Sequence, residues 1–398
     1  MSEAVWVLGA SMTKIGRYPD NDLVGLASEA SLNALADGGV TIEDMDVLAA
    51  GTQFQMGGLG QQLQKQIGQT GIPVYNVMNA CATGATAVRT VYMSIKAGES
   101  DMGLAVGAEQ MGKMGLLGQA PRSEKNVYEP SGRYGAVLPS DGWLGSGTMP
   151  AVFGQAGMEY AYEHDGVGFE QFAKVAEKNH AHSALNPLAQ YQKVFSLEEI
   201  MDARVISYPN TLPMCCPTGD GAAAIVLVSD SKLKTLSLEQ QKRAVKVTAS
   251  VLTSDPWTEA AQVQPDVNTL TRNAAQQAYE TAGIGPDELD LVELHDCFAT
   301  AELIHYDNLG LCEPGGAGAF IDSRAPWRDG SMPVNVSGGL LSKGHPIGMT
   351  GAAGVFEIAT QLRGEAGDRQ IEGAKVGLAH VIGLGSACGI HVLEKSAA

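Results

Sequence analysis

The sequence is short of basic residues. Its 398 residues include 26 Lys and Arg against 44 Asp and Glu, which gives a formal net charge of −18. Proteins that bind nucleic acids or anionic membranes depend on a basic surface, so this balance argues against both functions. An anionic substrate would have to meet a local basic patch or a set of backbone N–H groups.

Long apolar runs are also missing. No stretch of about 20 apolar residues occurs, so we expect no transmembrane helix. The first residues, MSEAVWVLGASMTKIG, place no basic leader before an apolar segment, so we expect no secretory signal. The six cysteines are scattered without CxxC spacing, which favours free thiols in a reducing compartment. Together these features predict a soluble, cytoplasmic protein.

Several enzyme signatures are absent. The sequence contains no GxSxG, Walker A or HExxH motif. His180 and His182 stand two positions apart on a predicted helix, where their side chains point apart, so we predict no metal site there. The glycines of HVIGLGSACG lack the spacing of a Rossmann fingerprint, so we predict no dinucleotide site either.

An internal repeat runs through the chain. Residues 34–46, ALADGGVTIEDMD, align without a gap with residues 278–290, AYETAGIGPDELD, and a strand-like run follows each. A second pair, NACATGATAVRTVYMSIKAG and SKGHPIGMTGAAGVFEIATQLRG, places Cys81 and His345 three residues before a glycine and a helical pattern. Duplicated halves bring equivalent points together across a pseudo-two-fold axis. We therefore expect Cys81 and His345 to face one cleft.

The repeat also suggests the domain organisation. Strands alternate with helices in an N-terminal half at 1–115 and a C-terminal half at 245–398, which predicts a mainly parallel or mixed sheet in each. The apolar run GAAAIVLVSD within 205–235 predicts a strand that completes the first half. Residues 116–204 are rich in Gly, Pro and polar residues, and they predict an inserted loop domain that carries substrate-binding loops.

Cys81 is the candidate nucleophile. It follows an extended segment and precedes a helix start, where the helix dipole lowers the pKa of a thiol and a backbone N–H faces an acyl oxygen. An isolated cysteine is more often a small buried side chain, but this context favours the nucleophile. His345, on the turn SKGHPIG, can abstract the thiol proton or donate to an oxyanion. The alternative for His345 is a structural histidine packed on the turn.

A second group of candidates lies in the C-terminal half. His295 ends a strand-like run in VELHDCF, and the strand ends of α/β sheets collect residues that contact ligands. Cys297 is either a second thiol for acid/base work or a core thiol. Gly383 lacks a side chain and so allows the backbone to approach a ligand closely. We predict that Cys215 and Cys216 are buried.

Five segments resemble the thiolase superfamily, and they are most similar to the sterol-carrier-protein type of 3-oxoacyl-CoA thiolase. The segments are NACATGATA, CCPTGDGAAAIVL, ELHDCF, SGGLLSKGHPIGMTGA and QLRGEAGDRQIEGAKVGLAHVIGLGSA. The resemblance covers essentially the whole chain. It implies an α/β thiolase fold of five layers, αβαβα, built from two duplicated halves with the inserted loop domain. It also implies a homodimer or homotetramer, with coenzyme A as co-substrate and no permanently bound cofactor or metal.

The resemblance implies a role for each candidate. Cys81 would accept the acyl group, His345 would activate it, and His295 would hold a water in an oxyanion hole. Cys297 would be the second acid/base, because most other thiolases place that cysteine in a CxG motif where this chain reads VIG. The N–H groups of Cys81 and Gly383 would form a second oxyanion hole.

These roles predict an acyltransferase of lipid metabolism, for example in fatty-acid β-oxidation. It would cleave a 3-oxoacyl-CoA with CoA to acetyl-CoA and a shortened acyl-CoA, or run the reverse Claisen condensation, through an acyl-cysteine. Two alternatives stay open. A retro-aldol lyase acting on a β-hydroxyacyl-CoA with an OB-fold partner subunit would not need Cys81. A non-catalytic acyl-CoA-binding protein would need neither the two thiols nor the two histidines.

Two further features concern substrate binding. The CoA phosphates would be met by cations of the loop domain, although each is equally open to being a solvated surface charge. These cations are Arg122, Lys125, Arg133, Lys174 and Lys178. Ala80 and Ala82 flank Cys81 where close relatives often have Asn and Ser, so the identity of the acyl group does not follow from the resemblance.

Overall fold

The structure is a computed structural model of the chain. It describes residues 3–54, 57–112, 149–256, 267–384 and 387–396, and the backbone of two short strands between the second and third of these ranges. No helix in these ranges is long and apolar enough to cross a bilayer.

The described strands form one large sheet and two small ones. They are β1 Val5–Met12, β2 Val47–Gly51, β3 Val74–Val77, β4 Met102–Gln110, β5 Ser131–Gly132, β6 Gly135–Ala136, β7 Val205–Ser207, β8 Asn210–Thr211, β9 Asp220–Ser229, β10 Val245–Thr253, β11 Leu291–Glu293, β12 Val376–Gly383 and β13 Ala387–Lys395. The large sheet has nine strands in the order β11-β12-β13-β10-β1-β9-β4-β2-β3.

The described α-helices alternate with these strands. They are α1 Leu23–Gly38, α2 Leu59–Ile67, α3 Thr83–Lys96, α4 Met149–Glu163, α5 Phe169–Ser183, α6 Leu197–Met201, α7 Asp230–Leu233, α8 Leu238–Arg243, α9 Val267–Ala282, α10 Ala299–Asn308, α11 Ala317–Asp322 and α12 Thr350–Arg363. Short 3-10 helices occur at Ile42–Asp44, Leu212–Met214, Pro286–Glu288 and Gly367–Arg369, and Gly339–Lys343 forms a π-helix.

The large sheet consists of two halves, as the repeat predicts. β2 runs parallel to β3 and β4, and β11 runs parallel to β12, whereas the other neighbours are antiparallel. The halves join where β1 pairs with β10, with Val5 opposite Val247. β9 completes the first half between β1 and β4, which confirms the strand predicted from GAAAIVLVSD.

The helices form three layers around the two halves of the sheet. α3 and α12 pack on each other and contact strands of both halves, so they are the central layer. α1 covers β1, β4 and β9 from one outer side, and α9 covers β10 and β13 from the other. This arrangement confirms the predicted αβαβα architecture. Each layer buries its apolar side chains against the next, which is the general requirement for such folds.

The thirteen-residue repeat folds in the same way twice. α1 is followed by Gly39 with φ +65°, and α9 is followed by Gly283 with φ +75°. A glycine adopts this left-handed conformation at the end of a helix at little cost. A 3-10 helix and then a buried strand, β2 or β11, follow in each copy.

The described part of the predicted loop domain is largely helical. α4 and α5 both pack against α10 of the C-terminal half, whereas the small separate sheet of β7 and β8 lies just after this segment in the chain. Phe153 of α4 and Phe172 of α5 are buried in the same core cluster as Leu303 and Ile304 of α10. This segment therefore shares a core with the C-terminal half next to the loops that carry His295 and His345.

Candidate active site

The central helices bring two loops together at their N-terminal ends. A side chain at Gly84 would collide with the backbone of Gly348 and Ala352, and one at Gly351 would collide with the backbone of Ala85. Only glycine permits so close an approach of two backbones. The loops that precede α3 and α12 therefore meet, and they carry Cys81 and His345.

Cys81, His295 and His345 converge at this point. The Cys81 Sγ and one ring nitrogen of each histidine all lie within 4.8 Å of one another. The two imidazole rings are 5.2 Å apart, nearly perpendicular at 79°. The structure confirms that Cys81 and His345 lie together, and it adds His295, which follows β11.

A tight turn holds Cys81 ahead of α3. The Ala82 N–H donates to the Asn79 carbonyl at 2.9 Å, and the Thr83 N–H donates to the Ala80 carbonyl at 3.1 Å. Ala80 has φ +47°, a conformation in which a Cβ atom is strained. The Gln53 side chain accepts the Ala80 N–H at 2.9 Å and so supports this strained residue.

Ala80→Asn is expected to raise the free energy of unfolding by about 0.5–1 kcal/mol, because asparagine tolerates the left-handed conformation better than alanine. Urea denaturation measures this change. Ala97→Asn is the matched control, since Ala97 is exposed with φ −77° and has no strain to relieve. Equal effects of the two substitutions would contradict the assignment of strain to Ala80.

The surroundings of Cys81 raise its pKa, and the predicted lowering by the helix dipole is wrong. Burial raises the pKa of the thiol to about 12, and the charge of Glu109 adds to this effect. The N–H groups of Leu384 and of Cys81 itself act in the opposite direction but are outweighed. Because the resting group is a thiol, a base has to remove its proton when it attacks.

His345 has the geometry of that base. Its Nδ1 lies 2.7 Å from the Thr350 hydroxyl, which lies 3.0 Å from the Pro346 carbonyl oxygen. The hydroxyl has one proton and donates it to the carbonyl, so His345 Nδ1–H donates to the hydroxyl. Nε2 is then left with a free lone pair. Burial lowers the pKa of His345 to about 3, so the ring is neutral and able to accept a proton.

Thr350→Val removes the hydroxyl that holds this tautomer. We expect kcat/KM to fall by about 100-fold, within the range that a general base contributes, because Nδ1–H loses its partner in a buried site. Thr350→Ser retains the hydroxyl and should stay close to the wild type. Steady-state kinetics with both variants tests the point, and wild-type activity in the valine variant would contradict it.

His295 lies just beyond β11 and is completely surrounded by protein. Its backbone N–H lies 3.4 Å from His380 Nδ1, and its ring is 6.5 Å from the Phe153 ring. Burial, and then the neighbouring His345 and His380, lower the pKa of His295 well below its ordinary value. A neutral imidazole of this kind can bind a water or donate to an oxyanion without carrying a charge.

Cys297 is buried close to the same site, and Cys216 lies next to it. Burial raises the pKa of Cys297, and the neighbouring thiols of Cys216 and Cys81 add to this effect. The Cys216 N–H donates to the Cys297 carbonyl at 3.0 Å. Cys215 and Cys216 are both only partly buried, so the prediction that they are buried is wrong. The segment CCPTGDGAAAIVL carried the signal for Cys216, but its two adjacent cysteines had no spacing that indicated a site.

Gly383 packs against the turn that holds Cys81. A side chain at Gly383 would collide with the Asn79 carbonyl and lie 3.2 Å from the Ala82 nitrogen. The close backbone approach expected at Gly383 is therefore present, with the nucleophile turn as its neighbour. Gly385 lies outside the described residues. Cys388 is buried in β13.

Glu109 joins the two loops of the site and was missed in the sequence. It accepts hydrogen bonds from Thr52 at 2.9 Å, Gln53 N–H at 2.8 Å and Gly348 N–H at 3.2 Å. Gln53 in turn holds Ala80, so one carboxyl group supports both the Cys81 turn and the His345 loop. No local pattern marks Glu109, because its partners are far apart in the chain.

Two of the predicted phosphate-binding cations have other partners. Lys178 is fully buried and lies 2.8 Å from Glu302, so the prediction for Lys178 is wrong. Lys174 lies 2.6 Å from Glu170 and 2.7 Å from Asp322. Arg122, Lys125 and Arg133 lie outside the described residues.

His180 and His182 bond to the carbonyls of Pro213 and Asn335 respectively, which confirms that they point apart.

The donor set at the site is also one that zinc binds. Within the described ranges, Cys81, His295 and His345 are the one cluster of three potential metal ligands, and thiolate and imidazole are the usual zinc ligands. The same three groups suit acyl transfer, in which a thiol attacks, a neutral imidazole accepts its proton and a second imidazole stabilises an oxyanion.

Two family profiles match the chain. The N-terminal domain of thiolase matches residues 5–206, and the thiolase C-terminal domain-like profile matches residues 255–395. The chain belongs to the thiolase family. This finding confirms the resemblance drawn from the sequence and the fold that it implies. Thiolases use coenzyme A as a substrate and carry no permanently bound cofactor.

Two proteins of similar sequence are described as different kinds of protein. It is 39% identical to sterol carrier protein 2 of Rattus norvegicus over 96% of this chain and 70% of that protein. It is 33% identical to an acetyl-CoA acetyltransferase of Methanothermobacter thermautotrophicus over 98% of this chain and 99% of that protein.

Two solved structures share the fold. The Ltp2-ChsH2(DUF35) aldolase superposes with a TM-score of 0.82 at 22% identity, over 98% of both chains. Human mitochondrial 3-ketoacyl-CoA thiolase in complex with CoA superposes with a TM-score of 0.70 at 20% identity, over 99% of this chain and 98% of that one.

Proposed function

We propose that the protein is an acyltransferase that cleaves 3-oxoacyl-CoA with coenzyme A, or runs the reverse Claisen condensation. The observation that supports this reaction best is the convergence of Cys81, His295 and His345 within 4.8 Å, with the Cys297 thiol close behind. Thiolysis needs a nucleophile, a base, oxyanion donors and a second acid. The site provides a group for each.

The first half of the reaction transfers the acyl group to the protein. His345 Nε2 takes the Cys81 thiol proton as Sγ attacks the ketone carbon, and the N–H groups of Cys81 and Gly383 stabilise the alkoxide. When the alkoxide collapses, the Cα–Cβ bond breaks and its electron pair forms the enolate of acetyl-CoA. Cys297 protonates that enolate. His345 and a water held by His295 stabilise the enolate oxygen.

The second half returns the acyl group to coenzyme A. The CoA sulfur attacks the thioester carbon on Cys81, and the CoA thiol proton passes to the Cys297 thiolate. Cys81 leaves as a thiolate and recovers its proton from the His345 imidazolium. All three side chains return to their starting protonation states, so the cycle consumes only CoA and 3-oxoacyl-CoA.

The test of this function follows turnover and the intermediate together. The protein is incubated with acetoacetyl-CoA and with a longer 3-oxoacyl-CoA, with and without free CoA, while substrate loss is recorded. We expect turnover with CoA and an acyl adduct in the intact mass without it. An aldolase is among the solved structures of the same fold, so a β-hydroxyacyl-CoA with and without an OB-fold partner protein is assayed in parallel. Cleavage of that compound alone would replace thiolase by lyase, and tight acyl-CoA binding without turnover of either substrate would favour a binding protein.

We also propose that the protein forms a homodimer or a dimer of such dimers. β3 is the last strand of the large sheet, and β2 pairs with it on one side. Tyr75 and Met78 on and after this strand are 51% and 64% exposed. A second copy that pairs along this edge would cover its backbone groups. Light scattering should give at least twice the chain mass, and Tyr75→Arg should lower it, whereas Tyr162→Arg on α4 should not.

The location that fits these properties best is the cytoplasm. All six cysteines are free, and free thiols persist in reducing compartments. Fractionation of cells that express the protein tests this proposal, and recovery from a membrane or an oxidising compartment would contradict it.

A further inference from the structure

A buried polar cluster lies behind the site and takes no part in the steps above. It consists of Lys178 and Asn179 on α5, Asp296 between His295 and Cys297, Glu302 on α10, and Asn335. Each of these five residues is fully buried. Buried polar and charged groups are costly unless hydrogen bonds satisfy them, so such a cluster requires a physical account.

The Asp296 carboxylate accepts three N–H donors. The Leu340 N–H lies 2.7 Å from Oδ1, the Leu341 N–H lies 3.2 Å from Oδ2, and the Asn179 amide lies 2.7 Å from Oδ2. Leu340 and Leu341 belong to the π-helix Gly339–Lys343. That π-helix ends at Lys343, two residues before His345.

The remaining members hold this carboxylate in place. The Asn179 amide also donates to Glu302 at 2.5 Å, and the Asn335 amide donates to Glu302 at 2.8 Å. Lys178 Nζ lies 2.8 Å from Glu302 and donates to the Val334 carbonyl at 2.7 Å. The cluster thus ties Asp296 to α5 and, through Asn179 and Glu302, to α10.

No side chain fits between the π-helix and Asp296. Gly339 has φ +57°, and a Cβ atom added there would overlap the Asp296 carboxylate. Asp296 is also covalently placed between two residues of the site, His295 and Cys297. One side chain therefore connects the segment that carries His295 and Cys297 with the segment that leads into His345.

We propose that Asp296 is a positioning residue, whose carboxylate sets His345 relative to His295 and Cys297 by binding the π-helix. Its contacts run to backbone N–H groups and Asn179, not to the reacting groups, so it acts through His345. This inference rests on the proposed function only for its kinetic readout, because the distance between Cys81 and His345 can be probed without turnover.

The first test is Asp296→Asn, which keeps the shape of the side chain. One of its two oxygens becomes an NH2 group that faces N–H donors, so at least one contact to the π-helix or Asn179 is lost. We expect kcat to fall by about 100-fold with KM little changed, as for a displacement of about 1 Å in a catalytic group.

A second readout separates positioning from general loosening. Iodoacetamide alkylation is followed at each cysteine by mass spectrometry. In Asp296→Asn, alkylation of Cys81 should slow by a factor similar to the fall in kcat, because His345 removes the thiol proton less effectively. Alkylation of the fully buried Cys388 should stay as slow as in the wild type, whereas a loosened fold would accelerate it.

Gly339→Ala disturbs the same contact from the opposite side. It should reproduce the kinetic and alkylation effects of Asp296→Asn, because the new methyl group displaces the carboxylate. Gly373→Ala is the matched control, since Gly373 has φ +77° but open space around it, so it shares the backbone strain and not the collision.

The outcomes distinguish this inference from the proposed function. Wild-type kcat and Cys81 alkylation in a folded Asp296→Asn protein would overturn the positioning role while thiolysis stood. Absence of turnover in the wild type would overturn the proposed function, and the alkylation series would still decide the role of Asp296. Faster alkylation of both Cys81 and Cys388 would identify Asp296 as a residue of stability only.

Discussion

Cys81→Ser is expected to lower kcat/KM for a 3-oxoacyl-CoA by about 10⁴-fold or more and to abolish the acyl adduct. Loss of a covalent nucleophile has effects of this size or larger, because the other groups of the site act only through it. Serine keeps the shape, but its hydroxyl is far less acidic than the thiol. His345, which is neutral with a pKa of about 3, is too weak a base to activate it.

The comparison needs a cysteine that plays no part in the chemistry. Cys312 is half-buried and interacts with Asp307 and Glu313, remote from the nucleophile turn. Cys312→Ser should therefore keep the activity and the adduct of the wild type. If Cys81→Ser stayed within about tenfold of the wild type, the acyl-cysteine mechanism would be wrong. The lyase reaction, which does not need this thiol, would then account better for the site.

The stability of the protein is expected to fall steeply between pH 7 and pH 5. Burial lowers the pKa of seven histidines in the folded state. They are His180, His182, His295, His305, His345, His380 and His391. In the unfolded chain each of them has a pKa of about 6.5 and binds a proton below that pH. The unfolded state therefore binds more protons, and acid favours it.

The size of this effect is large because the contributions add. Each histidine that stays neutral in the folded state lowers the free energy of unfolding by about 2 kcal/mol between pH 7 and pH 5. Six of the histidines have a pKa of about 4 or lower, or well below its ordinary value, and together they approach the total stability of a typical domain, about 5–15 kcal/mol. The raised pKa values of Glu109, Glu293 and Asp296 act in the opposite direction, because these groups take up protons earlier when folded. The seven histidines outnumber these three carboxyl groups, so the histidines dominate.

Urea denaturation at a series of pH values measures the proton uptake on unfolding. The slope of the unfolding free energy against pH should correspond to several protons near pH 5.5. His305→Phe keeps an aromatic ring against His380 at a position outside the catalytic contacts, and it should reduce the uptake by about one proton. A stability that does not change between pH 7 and pH 5 would show that these histidines are protonated within the fold.

Local sequence patterns predicted most of the architecture. The thirteen-residue repeat predicted two equivalent units, and both form a helix, a left-handed glycine, a 3-10 helix and a strand. The apolar runs at β2, β9 and β11 were found because a buried strand is a short, continuous apolar segment. Cys81 and His345 were paired correctly since both precede a glycine at the start of a central helix. Such signals involve residues that are close together in the chain, so a single sequence is enough to recognise them.

The pKa values and charge partners at the site could not be predicted from local sequence patterns. The helix start argued for a lowered pKa at Cys81, but the packing around the thiol raises it to about 12. Lys178 was taken for a cation open to phosphate, yet it is buried against Glu302. Both errors have the same cause, since the pKa and the partner of a group depend on residues distant in the chain.

The sequence by itself determined the duplicated α/β halves, the thiolase family, and the thiol and imidazole groups available for acyl transfer. These follow from residue identity and local spacing. The tertiary structure alone decided the protonation of Cys81, the tautomer of His345, and the supporting contacts of Glu109 and Asp296. Each of these depends on burial and on hydrogen bonds. Some of those hydrogen bonds join residues more than 40 positions apart in the sequence, and others cross a packed loop. Only the folded chain brings these groups within reach of one another.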